Sequence, residues 1–129
     1  MIPAPAAPYG PDGFAAQVLP LDREPYLALV QAVLAWPGPG PELQPRDYEQ
    51  IAHVLAVHAR ALAGDVQRRC AVLPTDSEVR ALTEVVLGEA GRRLSVPPRA
   101  TVAGVQHLAR LVRALYERLD RLAVVPAAP

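Results

Sequence analysis

Six residues near the C-terminal end of the chain set the strongest constraint on its fold. Val105, Leu108, Val112, Leu115, Leu119 and Leu122 alternate three and four apart. That spacing puts apolar side chains along one side of an α-helix. The row spans fewer than three heptads, so it signals packing inside a bundle more than a long coiled coil. Such a row must be buried against other helices, and the rest of the chain supplies them.

Four helices are expected, near residues 22–36, 46–73, 76–94 and 101–123. Asp22 can cap the first, whose apolar stripe is Leu27, Val30, Val33 and Leu34. Pro37 and Gly38 stop it. The second starts at Pro45 and carries Tyr48, Ile51, Leu55, Leu62, Val66 and Leu73. Leu73-Pro74 ends it, and Gly64 weakens its middle. Thr75-Asp76-Ser77-Glu78 fits a capping box with Thr75 as the cap of the third helix. The face of that helix reads Val79, Leu82, Val86 and Ala90, widened by Val85 on one side and by Leu87 and Leu94 on the other. A face that wide suits a helix touching two neighbours. Gly88 and Gly91 within it suit close backbone packing, and their face with Leu87, or the first helix, is the candidate surface for a dimer contact. Short connections make the second, third and fourth helices antiparallel neighbours. No segment alternates with period two, so no sheet is expected. The fold class is an all-α antiparallel bundle of about four helices.

Ten of the 15 prolines precede residue 46. Residues 1–21 therefore read as a flexible Pro/Ala-rich arm, with Phe14, Val18 and Leu19 free to dock on the bundle. The bundle domain covers 22–124, and 125–129 form a loose tail. All 13 basic residues are Arg, and neither Lys nor Asn occurs. These absences point to a GC-rich genome such as an actinobacterium. The 13 basic and 13 acidic residues cancel, leaving no global field to draw in nucleic acid or anionic membrane. No run reaches the roughly 20 apolar residues of a membrane span, and no secretory signal opens the chain. Cytoplasm is the expected compartment. Cys70 stands alone and cannot form an internal disulfide.

Polar residues on apolar helix faces are the candidates for chemistry. At 100° per residue, His58 falls within the arc of Ile51, Leu55 and Leu62, and Asp65 and Arg69 fall on the same arc. Glu89 falls between Val85 and Leu82, and Arg93 near Val86. Counting back from the Pro74 turn sets His58 level with about Gly91, within a turn of Glu89 and Arg93. His58 and Glu89 are thus candidates for an acid–base pair, and His58, Asp65, Arg69, Glu89 and Arg93 for ligand binding. The competing reading is a buried polar link that only fixes helix register. Both readings expect a His58–Glu89 contact. No Glu-x-x-His occurs, and Glu49, His53 and His107 point outward, so neither a metal nor a cofactor is expected. Cys70 has no activating base on its own face and reads as a half-buried spectator thiol. Arg110, Arg113 and Arg121 line a solvated face of the last helix, where Arg113–Glu117 and Glu117–Arg121 can pair.

Leu55-Ala56-Val57-His58, Asp65-Val66, Leu73-Pro74-Thr75-Asp76, Gly88-Glu89-Ala90, Leu94, Leu108-Ala109-Arg110 and Ala114-Leu115 follow one another in a familiar order. Over residues 48–123 the chain resembles actinobacterial proteins of unknown function commonly labelled "natural product biosynthesis protein". That family often has Arg-Gly where this chain has Ala56-Val57, and cysteines in the third helix that are missing here. The resemblance implies a setting in secondary metabolism and no particular reaction.

The expected role is a small, non-catalytic helical accessory protein that binds a protein partner or forms a homodimer. One alternative is a small-molecule binder or acid–base enzyme with a bundle pocket near His58 and Glu89. A DNA-binding regulator comes third.

Overall fold

The computed structural model describes residues 23–124, and every statement about structure below concerns those residues. The Pro/Ala-rich arm, the Asp22 cap and the tail after Val124 lie outside them. Four helices and no strands are present: α1 (Arg23–Leu34), α2 (Pro45–Ala71), α3 (Glu78–Leu94) and α4 (Val102–Ala123). The expected all-α bundle is borne out, with helix ends within two residues of their expected positions.

Proline and short polar side chains set the ends. Pro45 occupies the first position of α2, where its missing N–H is no loss. The Asp47 carboxylate accepts the Gln44 N–H at 3.2 Å. The cap of α3 is Ser77, whose hydroxyl accepts the Arg80 N–H at 3.2 Å, and not Thr75. The reason is the turn before it: the Ser77 N–H bonds Pro74 O at 3.0 Å, which commits Thr75 and Asp76 to the turn. Thr101 caps α4 through the Gly104 N–H at 3.0 Å. In the Ala35–Gln44 linker, Gly40 has φ +89°, and a side chain there would also strike Val102.

The row on α4 is buried at all six positions. Ala109, Leu111 and Tyr116 are buried with it, so α4 is covered on a broad face. Its main partner is α2, through Leu55, Leu62 and Val66. Asp65 and Ala123 meet near one end of this pair and His58 and Tyr116 further back, so α2 and α4 run in the same direction. Helix α1 packs on α4 through Val30 and Val33 and runs opposite to it. Arg23 pairs with Asp120 at 2.8 Å at one end, and Gln106 donates to Val33 O at 3.1 Å at the other.

Helix α3 departs from expectation. It packs on α2 and makes few contacts elsewhere, so it does not bridge two neighbours, and α4 takes α2 as its close partner. The buried face of α3 is carried by Thr83 and Ala90, flanked by Val79, Val86, Leu87 and Leu94. Leu82 and Val85 point away, 54% and 67% exposed. Small residues let α3 lie close to α2, which rotates the larger ones on its flank into solvent. Arg113, Glu117 and Arg121 form none of the expected ion pairs; α4 uses Asp120 instead, with Arg23.

Candidate functional site

The buried polar centre of the molecule lies where α1, α2 and α4 meet. His58 sits on the α2 face that looks toward α4 and is 4% exposed. Its Nε2 shares a 2.5 Å hydrogen bond with the Tyr116 hydroxyl. Tyr26 of α1 stacks on the imidazole, with ring centroids 3.6 Å apart and planes 5° from parallel. The Arg23 guanidinium lies 4.5 Å over the Tyr116 ring and reaches Asp120, a favourable cation–π placement.

Burial governs the protonation of this cluster. Desolvation disfavours the imidazolium and lowers the His58 pKa to about 4. Desolvation likewise raises the Tyr116 pKa to about 12, with Arg23 opposing it and Tyr26 adding to it. Both groups are neutral at pH 7. A neutral imidazole beside a neutral phenol shares one proton along this contact, so His58 Nε2 and the Tyr116 hydroxyl satisfy one another. The ring face is covered by Tyr26 and the outer nitrogen is taken by Tyr116. The arrangement works as a clasp that ties three helices together.

The other candidates lie apart from it. Glu89 is on the outward flank of α3 with Leu82 and Val85, its side chain 46% exposed. It accepts from Arg92 at 2.7 Å and from Arg93 at 2.8 Å. The hydrogen bonds from Arg92 and then Arg93 hold its carboxyl below the usual range. The expected His58–Glu89 contact is therefore absent. His58 looks toward α4 and α1, whereas Glu89 looks away from the core on a helix that packs against another side of α2. Arg93 is bound to Glu89 and does not reach His58. Asp65 pairs with Arg68 at 2.7 Å. Asp65 and Arg69 do share a cleft of about 100 Å³ with Arg23, Tyr116 and Asp120, beside the clasp. Cys70 is buried and donates weakly to Arg80 O at 3.8 Å. Burial first, then Glu84, raises its thiol pKa, the opposite of what a nucleophile needs. No group of three or more His, Cys, Asp or Glu side chains is placed to hold a metal among the described residues.

Tyr26, Tyr116 and Arg23 were not candidates on sequence grounds. Tyr116 nevertheless had a signal: it follows Val105, Ala109 and Val112 at helical spacing, on the buried flank of α4. Tyr26 precedes Val30 and Val33 at the same spacing on α1.

A family model described as a family of unknown function (DUF6415) matches residues 25–124. No curated protein and no solved structure matches the chain.

Proposed function

Given that the chain belongs to this family of unknown function, we propose that it is a helical accessory protein acting by protein–protein contact, with a second copy of itself as first partner. The carrying observation is a groove along the outside of the α2–α3 hairpin. Arg60, Ala63, Gly64 and Gln67 of α2 face Leu87, Gly88, Gly91 and Leu94 of α3 across about 440 Å³, with Arg60 donating to Leu94 O at 3.2 Å at one end. The close packing that Gly88 and Gly91 suit is not found among the described residues, which leaves their face, with Leu87, as the candidate dimer contact. A Cβ at Gly91 would meet nothing, and one at Gly88 only the tip of Arg92 at 3.8 Å. Neither glycine has positive φ. Each glycine costs α3 about 1 kcal/mol of helix propensity relative to Ala, and no contact or dihedral among the described residues explains it. Close approach of another helix does explain it, since small residues let backbones come together while Leu87 and Leu94 supply apolar walls.

The resemblance of residues 48–123 to proteins labelled for natural product biosynthesis supports a setting in actinobacterial secondary metabolism. The cytoplasm suits that setting, and no described helix is long and apolar enough to cross a membrane. The clasp around His58 favours a structural role for that residue over catalysis.

Gly88→Gln with Gly91→Gln separates folding from docking. Both changes raise helix propensity and meet open space, so the bundle should gain roughly 0.5–1 kcal/mol per site in chemical unfolding. Self-association, followed by sedimentation over rising concentration, should be lost. A wild-type chain that stays monomeric, or a double variant that associates as tightly, overturns the proposal.

A further inference from the structure

A second concavity lies on the other flank of α3, where its C-terminal end and the following loop cross the start of α4. It is open to solvent on one side and spans about 220 Å³. Its floor is Leu108 and Leu111, two buried side chains of α4. Val96, Pro97 and Pro98 wall it with apolar surface. Its polar side chains are Arg93, Arg99 and His107, with no carboxylate among them. Glu89 engages Arg93, whereas no carboxylate of the described residues lies within ion-pair distance of Arg99 or His107. The loop is held tightly here. A side chain at Gly104 would collide with the Arg99 carbonyl oxygen, so only glycine lets the Arg99 backbone rest against the first turn of α4. Arg99 is thus fixed in backbone position at the mouth of a small apolar hollow.

We infer that this hollow binds a small organic carboxylate, its apolar body against Leu108, Leu111 and Val96 and its carboxylate toward Arg99 and His107. Binding sites of this kind combine an apolar lining with a few convergent polar groups, and drug-sized ligands need roughly 300–1,000 Å³. The hollow is smaller, so it selects a short aliphatic or single-ring acid. Arginine suits the head group because its fork matches carboxylate geometry. A bare inorganic anion would leave the apolar floor uncovered, and a neutral alcohol would leave the cationic mouth unmatched. This site shares no residue with the α2–α3 groove and does not depend on it.

The test is titration of the isotope-labelled full chain with hexanoate, hexanol and inorganic phosphate, each followed by amide chemical shifts. Hexanoate should give saturable shifts concentrated in residues 93–111. Hexanol and phosphate should bind at least about tenfold more weakly, and Arg99→Gln should weaken hexanoate by about the same factor. Val96→Glu, at an exposed position, should remove hexanoate binding with the helical circular dichroism unchanged. Hexanol binding as tightly as hexanoate overturns the inference, as does phosphate doing so. Absence of saturable shifts with hexanoate overturns it as well.

Discussion

Acidification from pH 6.5 to pH 4 is expected to remove about 3 kcal/mol of stability through His58 alone. In the unfolded chain the imidazole takes its proton near 6.5, and in the folded protein only near 4. Between those values the unfolded state binds more protons, so stability falls as pH falls, by about 1.4 kcal/mol per unit. Above the upper value this contribution is fully present, and below the lower one it has been lost. The groups facing the imidazole are Tyr116, Tyr26 and, through Tyr116, Arg23. None of them supplies an anion that would stabilise the charged ring. Glu89 adds a loss of the same sign only as its carboxyl protonates, below the ordinary 4.5, so the upper part of the window belongs to His58. The measurement is urea unfolding across the window, in wild type and in His58→Leu. The variant should lose the slope between pH 6.5 and 4.5. It should also start from a lower plateau by roughly 1–3 kcal/mol, because the buried Tyr116 hydroxyl loses its partner. A slope that survives the substitution would assign the pH dependence elsewhere. Domains of this size hold about 5–15 kcal/mol in all, so acid alone removes a large share.

Leu115→Ala should lower stability by roughly 3–5 kcal/mol, and Tm by more than about 10 °C. Leu115 is fully buried in the α4 row. Truncation forfeits its transfer energy and leaves a cavity that rigid neighbours on α2 cannot fill. Leu82→Ala makes the informative contrast. It removes the same atoms from a side chain that faces solvent, and should change stability by no more than about 0.5 kcal/mol. Thermal unfolding of the two variants side by side tests the rotation of α3 directly. A large loss at Leu82 would return that residue to the core.

That rotation marks the limit of what periodicity shows. On α4 and α2 the large apolar residues fall on one side, and the phase of each helix follows. On α3, Val79, Leu82, Val85, Val86 and Leu87 spread over a wide arc. Hydropathy alone then centres the face too near Leu82. The true face is chosen by Thr83 and Ala90, whose value lies in being small. Placing Glu89 inward followed from the same error of phase. His58 was legible as a buried residue, because its own helix fixes its direction. Its partners were not, because they lie on α1 and α4, and the relative rotation of separate helices leaves no periodic trace. The imidazole is met by two tyrosines and by no charged side chain directly, and tyrosines on apolar faces read as core.

The clasp also bears on the order in which the molecule assembles. The α2–α3 hairpin closes over a short turn and gains its contacts early, at little cost in chain entropy. Arg23 and Asp120 are separated by 97 positions, and α1 meets both its partners, His58 of α2 under Tyr26 and Tyr116 of α4 under Arg23, only once α2 and α4 are side by side. α1 is therefore expected to arrive last, onto a surface the other helices have already made. By the same logic it is the first helix to leave. Substitutions at Tyr26 or Arg23 belong on the unfolding limb of the kinetics, and the amides of α1 should exchange with solvent through openings smaller than global unfolding.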